Sequence, residues 1–153
     1  MRKISNKSHM RDKGDSMKLF RVEEAQAKAT TVMIVSSTSI GEETDTRDCI
    51  AFIDKLYVLG VKFSVGEGSY KGNITPSFVI IPDGRFDEIM RYAFDILGQE
   101  CVLVRDFDGV YLESVNDRVL IGEKLITVSE AEAKKRSGYT YVNGTYYVVD
   151  TCL

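Results

Sequence analysis

"GEGSYKGNITPSF", residues 66–78, is the stretch on which the fold turns. Before it, Val61 to Val65 (VKFSV) reads as a strand, and after it Ser77 to Ile81 (SFVII) reads as another. Between them lie three glycines, a tyrosine and a lysine, in a chain otherwise economical with glycine. Glycine weakens a strand, because it packs no side chain and loses much backbone freedom on ordering. Two explanations fit. The glycines let a loop bring its backbone close to a ligand, or they serve a strand-to-strand connection that needs positive φ angles.

Working outward, Thr31 to Thr38 (TVMIVSST) is β-branched and apolar, as expected of a buried strand. Thr44 or Asp45 can cap a helix that places Cys49, Ile50, Ile53, Leu56 and Tyr57 on one face and stops at Gly60. Beyond the Pro82-Asp83-Gly84 turn, Phe86, Ile89, Met90, Ala93, Phe94 and Leu97 keep helical spacing up to Gly98. QECVLVRDF and VYLES flank Asp108-Gly109, a hairpin signal, and Asn143-Gly144 is a stronger one. Between them lie an apolar stretch, VLIGEKLITV, and a short polar helix candidate, SEAEAKKR. Residues 31–107 therefore read as β-α-β-β-α-β. The expected class is α+β, a ferredoxin-like or PII-like sheet with two helices on one face and a C-terminal β-hairpin extension.

At 153 residues the chain suits one domain. Residues 1–16 hold five Lys/Arg against two Asp, whereas the rest carries fifteen basic and twenty-one acidic residues. The expected organisation is a flexible basic tail, 1–16, and a single α+β domain, 17–153. The acidic body argues against nucleic acid as a partner. No apolar run is long enough to span a bilayer, and the charged N-terminus lacks a signal-peptide core, so no membrane association and a cytoplasmic setting are expected.

Reactive residues are few. His9 is the sole histidine and falls in the tail, which leaves no Ser-His-Asp or Cys-His system. Cys49, Cys101 and Cys152 form no CxxC pair, so neither a metal site nor a disulfide framework is expected. The glycines match neither a phosphate loop, since no GKS or GKT follows, nor a dinucleotide fingerprint, since a strand rather than a helix follows. Glu67 sits among the glycines and is either a solvated carboxylate or a ligand-facing one. Tyr70 is likewise either a packing aromatic or a binding one. Gln99 and Glu100, between a helix stop and a buried strand, serve as capping groups or as ligand contacts.

"YAFDILGQECVLV" (92–104) resembles the corresponding part of the phage enzymes that degrade S-adenosylmethionine (SAM), the SAM lyases formerly called SAM hydrolases. The resemblance continues in "VMIVSS" (32–37), "GSYKG" (68–72) and "GYTYVNGTYYVV" (138–149). It implies a PII-like homotrimer in the host cytoplasm, binding SAM between subunits and splitting it into methylthioadenosine and homoserine lactone without a cofactor. SAM depletion would then serve phage counter-restriction. Tyr70 matches the family's substrate-binding tyrosine, and Glu67 is the carboxylate beside it, so these two are the implied catalytic pair. Gly68, Ser69, Tyr70, Thr75, Gln99 and Glu100 are the implied substrate contacts. Thr75 departs from the family, whose pattern places a functional glutamate there. That departure keeps two alternatives open: a non-catalytic PII-like trimeric binder of SAM or another nucleotide-like ligand, and a phage inhibitor of a host defence protein.

Overall fold

The computed structural model of the chain describes residues 21–28, 30–36 and 46–151. The basic tail, His9, the Thr44/Asp45 cap and Cys152 lie outside the described residues. In chain order the elements are α1 (Val22–Ala27), β1 (Val32–Ser36), α2 (Thr46–Leu59), β2 (Lys62–Tyr70), β3 (Asn73–Ile81), α3 (Phe86–Asp95) and β4 (Val102–Asp106). Then follow β5 (Gly109–Glu113), β6 (Arg118–Gly122), β7 (Leu125–Val128), α4 (Glu130–Ala133), β8 (Gly138–Val142) and β9 (Thr145–Val149).

The ferredoxin-like or PII-like expectation is overturned. The nine strands form one sheet in the order β6-β5-β4-β1-β3-β2-β8-β9-β7. Every pairing is antiparallel. β5 to β9 are thus most of the sheet's two wings and not an appended hairpin. The physical cause is a corner at Gly122. The stretch read as one apolar segment breaks into β6 and β7, the two edges of the sheet, joined by only Glu123 and Lys124. Two residues span little distance, so the sheet must curl until its edges approach. A Cβ on Gly122 would stand 2.1 Å from the Asp150 carbonyl oxygen. Asp150 Oδ1 accepts from the backbone N–H groups of Glu123 (3.0 Å) and Lys124 (2.7 Å), fixing the corner.

Strand alternation sends successive side chains to opposite faces. On one face Met33, Val35, Phe63, Phe78, Ile80, Val102 and Val104 meet Phe52 and Leu56 of α2 and Ile89, Met90 and Ala93 of α3. On the concave face Val32, Val79, Leu125, Val142 and Tyr147 close over Val22 and Ala25 of α1. Helix α1 is tied there by Gln26, whose Nε2 donates to the Leu125 carbonyl (2.9 Å) and whose Oε1 accepts from its N–H (2.7 Å). Both faces of the central strands are therefore buried, which is why their sequences read as unbroken apolar runs.

Candidate functional site

The opening stretch is mostly strand. β2 and β3 run to a two-residue turn, Lys71-Gly72, with φ of 51° and 85°. Two successive positive φ values define the turn whose twist suits a hairpin, so Gly72 serves the strand-to-strand connection. Gly66 and Gly68 lie inside β2 for another reason, close approach. A Cβ on Gly66 would stand 2.3 Å from the Tyr141 carbonyl oxygen, and one on Gly68 would stand 2.1 Å from Ser77 Oγ.

Gly68 pairs with Thr75 on one side and Thr140 on the other, so all three share the concave face. Ser36, at the end of β1, places its Oγ 2.6 Å from Thr75 Oγ1. Ser36 and Ser77 are opposite each other. The concave surface at this end of the sheet is thus built from hydroxyls and a bare backbone rather than from apolar side chains.

Tyr70, two residues beyond Gly68, faces the same side and is 40% exposed. It lines a cavity of about 370 Å³ inside the curl. The walls are apolar, from Leu103, Leu112, Ile121, Leu125 and Val149, with Thr140, Tyr139, Tyr147 and Arg136 as the polar lining. An apolar cleft of this size with a few convergent polar groups is the usual form of a small-molecule site. Among the described residues no group of His, Cys, Asp or Glu is placed to hold a metal ion.

Glu67 and Tyr70 do not converge directly. Three residues apart in a strand, they project to opposite faces. Glu67 pairs across with Pro76 and Tyr141, and Ser69 with Ile74 and Tyr139. Tyr139 pairs with Ser69 and so shares Glu67's face, where it packs with Ala133 and Val148 and its hydroxyl donates to Glu67 Oε1 at 3.4 Å. Burial first, and the Glu67 charge second, push the Tyr139 hydroxyl up, so it stays a protonated donor. Gln99 and Glu100 occupy the link from α3 to β4, outside the cavity lining. The Gln99 N–H donates to the Ala93 carbonyl (2.9 Å), closing the helix, and burial followed by the Glu100 charge pushes the Cys101 thiol up.

Thr140, Tyr139 and Tyr147 were not anticipated as lining residues. The tyrosine-rich closing strands read equally well as a packed hairpin, and only the curl turns Thr140 and Tyr147 inward, with Tyr139 on the other face. Tyr147 is buried and donates to Glu23 Oε1 at 2.6 Å; burial and then that carboxylate raise its pKa.

The S-adenosylmethionine lyase family matches residues 37–150, a span that carries every strand lining the cavity. The chain belongs to the S-adenosylmethionine lyase family. Among curated proteins, none matches the chain. Family membership supports the general activity, degradation of SAM, and SAM as the substrate. No described helix is long and apolar enough to cross a membrane.

Proposed function

We propose that the protein is a SAM lyase that forms methylthioadenosine and homoserine lactone in the concave cavity beneath Tyr70. The observation that carries this reading is the family match across residues 37–150, which spans the strands around that cavity. The chemistry suits a site without histidine. The substrate's own carboxylate oxygen attacks its γ-carbon and forms the lactone C–O bond. The C–S bond breaks, and its electron pair stays on sulfur as a neutral thioether. No proton needs to be moved.

The protein's task is to hold the methionyl chain curled with carboxylate and γ-carbon in contact, a proximity effect worth several powers of ten. The apolar walls disfavour the charges that the step consumes. The Tyr70 ring stabilises the sulfonium in its bound position by about 0.5–2 kcal/mol. Glu67, on the opposite face, accepts from the Tyr139 hydroxyl and braces β8 behind Thr140, and so positions rather than reacts. Gly68 makes room for the Ser77 hydroxyl beside Thr75 and Thr140. Thr75 takes a neutral role, its hydroxyl paired with Ser36. Assembly as a homotrimer and a phage counter-restriction role through SAM depletion belong to the same proposal; light scattering of the purified protein tests the first.

Incubation with SAM, followed by chromatography, tests the reaction. Methylthioadenosine with homoserine lactone, above the spontaneous rate, is the expected result; methylthioadenosine with homoserine would make the enzyme a hydrolase. Saturable binding of intact SAM would favour the binder instead, the reading that Thr75 in place of a glutamate suggests.

A further inference from the structure

The cavity inside the curl is not uniform along its length. Leu103, Leu112, Ile121, Leu125 and Val149 give it apolar walls. Its charge is confined to one place. Among the described residues of the lining, Arg136 is the only one with a charged side chain, and none is a carboxylate. Arg136 ends the polar segment SEAEAKKR, whose cations the proposed reaction leaves without a role.

The backbone sets Arg136 beside Tyr70. Gly138, two residues on, pairs directly with Tyr70, and a Cβ added there would lie 3.5 Å from the tyrosine Cδ1. The Lys71 N–H donates to the Ser137 carbonyl at 2.7 Å, which ties the β2–β3 turn to the link between α4 and β8. Lys71 Nζ lies 5.1 Å from the Tyr70 ring centroid, so a second cation stands at this end. The Tyr70 end of the cavity is thus cationic, whereas the walls within the curl are apolar.

The Arg136 guanidinium is both reachable and directed. Its side chain is 36% exposed, and Nε donates to Glu132 Oε2 at 3.0 Å. That bond fixes the plane of the group. It leaves the two Nη nitrogens, with four of the five N–H donors, without a partner among the described residues. In Arg118 and Arg85, by contrast, an Nη nitrogen already donates to Asp106 and to Glu88.

We infer that Arg136 is the carboxylate-binding residue of the cavity and sets the direction of the ligand, its charged head at Tyr70 and its nucleoside within the curl. The inference rests on the reading proposed above, in which that ligand is SAM. The Nη pair matches the two oxygens of the α-carboxylate, and the sulfonium lies against Tyr70. The reverse direction would press the charges of the methionyl chain against Leu103, Leu112 and Ile121, where nothing compensates them. Arg136 is then a substrate-binding residue that orients the nucleophile and takes part in no bond change.

Calorimetry on the full chain tests this with two ligands. S-adenosylhomocysteine carries the carboxylate, whereas methylthioadenosine lacks the amino acid. Arg136→Gln should bind S-adenosylhomocysteine about 10–100-fold more weakly and methylthioadenosine as the wild type does. Glu132→Gln keeps an oxygen for Nε and removes the competing charge, so it should bind S-adenosylhomocysteine at least as tightly as the wild type. Equal weakening of both ligands by Arg136→Gln, or of neither, overturns the inference. So does the same loss in Glu132→Gln, which would mean that the ion pair, and not the free side of the guanidinium, serves the site. If Arg136→Gln fails to fold, Arg136→Lys, which keeps the charge without the fork, carries the same comparison and should weaken S-adenosylhomocysteine alone.

A separate arm covers failure of the SAM reading itself. If the wild type binds neither nucleoside, indole-3-acetate against indole-3-acetamide still reads the subsite, since the two share one apolar body and differ in the charge. A wild-type preference for the carboxylate that disappears in Arg136→Gln supports it; no preference, or one that survives the substitution, overturns it.

Discussion

The two faces of the central strands bury comparable lengths of chain with opposite materials. The face under α2 and α3 is filled by large apolar side chains, with Phe52 wedged edge-on against Phe78 (4.8 Å) and stacked on Tyr92 (5.3 Å). The concave face is apolar near α1 and along the cavity walls. Towards the ends of β2 and β3 it turns to Gly66, Gly68, Ser36, Thr75, Ser77 and Thr140, beside the cavity under Tyr70. One face is packed to hold the sheet. The other gives up large side chains at that end for glycines and hydroxyls.

The largest expected effect breaks the packed face. Phe52→Ala removes a fully buried ring from the α2–sheet interface and should cost about 3–5 kcal/mol, read as a lower urea midpoint with an unchanged slope. On the concave face Ser77→Ala should cost under about 1 kcal/mol. Equal costs would mean that the two faces are not built differently.

Next in size are the two strand glycines, which sharpen the same contrast. Gly66→Ala and Gly68→Ala each introduce a clash and should cost about 1–3 kcal/mol. The obstacle for Gly66 is the Tyr141 backbone carbonyl, and for Gly68 it is the Ser77 hydroxyl. Gly68→Ala should therefore regain more than half its loss when combined with Ser77→Ala, whereas no side-chain deletion should rescue Gly66→Ala. Thermal unfolding of the wild type, the three single variants and the doubles Gly68→Ala/Ser77→Ala and Gly66→Ala/Ser77→Ala reads this directly. Rescue of both or of neither would show that the clash is not what keeps these positions glycine.

How far the sequence disclosed this contrast can be followed residue by residue. The α3 pattern was legible, because Ile89, Met90, Ala93 and Leu97 follow helical spacing and are the residues buried. The α2 face was shifted. Ile50 and Tyr57 look inward on spacing but are 54% and 42% exposed, while Phe52 takes the centre. An apolar residue on every side of that helix let periodicity choose wrongly. Asn143-Gly144 turns with φ of 51° and 79°, as its residues announce.

The curl was not legible, nor was α1. Whether VLIGEKLITV is one strand or two edges depends on Asp150, twenty-six residues beyond Lys124, and local pattern carries no such information. The candidate site was half legible for the same reason. Tyr70 could be singled out by its neighbours in sequence, but Thr140 and Tyr147 reach the curl only through long-range pairing.

A smaller effect appears with pH. The Tyr147 hydroxyl, buried against Glu23, has a raised pKa in the folded state, chiefly through burial. Its contribution to stability is complete below the ordinary tyrosine value of about 10 and is withdrawn as pH rises from there towards the folded-state value. Unfolding free energy should therefore fall on going from pH 9 to pH 11. Tyr147→Phe should flatten that slope while costing about 1 kcal/mol at pH 7. An unchanged slope would place the alkaline sensitivity elsewhere, with Tyr139 the next group to test.

The smallest effect on the fold should be the most telling for function. Tyr70 is partly exposed at the end of β2, so Tyr70→Ala should change stability by no more than about 0.5 kcal/mol. If its ring faces the sulfonium, the same change should lower kcat/KM for SAM about 2–30-fold, the equivalent of one cation–π contact. Tyr70→Phe keeps the ring and should retain most of that activity, whereas a role for the hydroxyl would make the two variants equally poor. Glu67→Gln supplies the contrast from the other face. Acting through Tyr139, it should leave KM within about twofold and lower kcat modestly, and the double variant Glu67→Gln/Tyr139→Phe should be no worse than Tyr139→Phe alone. Additive losses would mean that Glu67 reaches the substrate by itself, which the opposite directions of Glu67 and Tyr70 along β2 argue against.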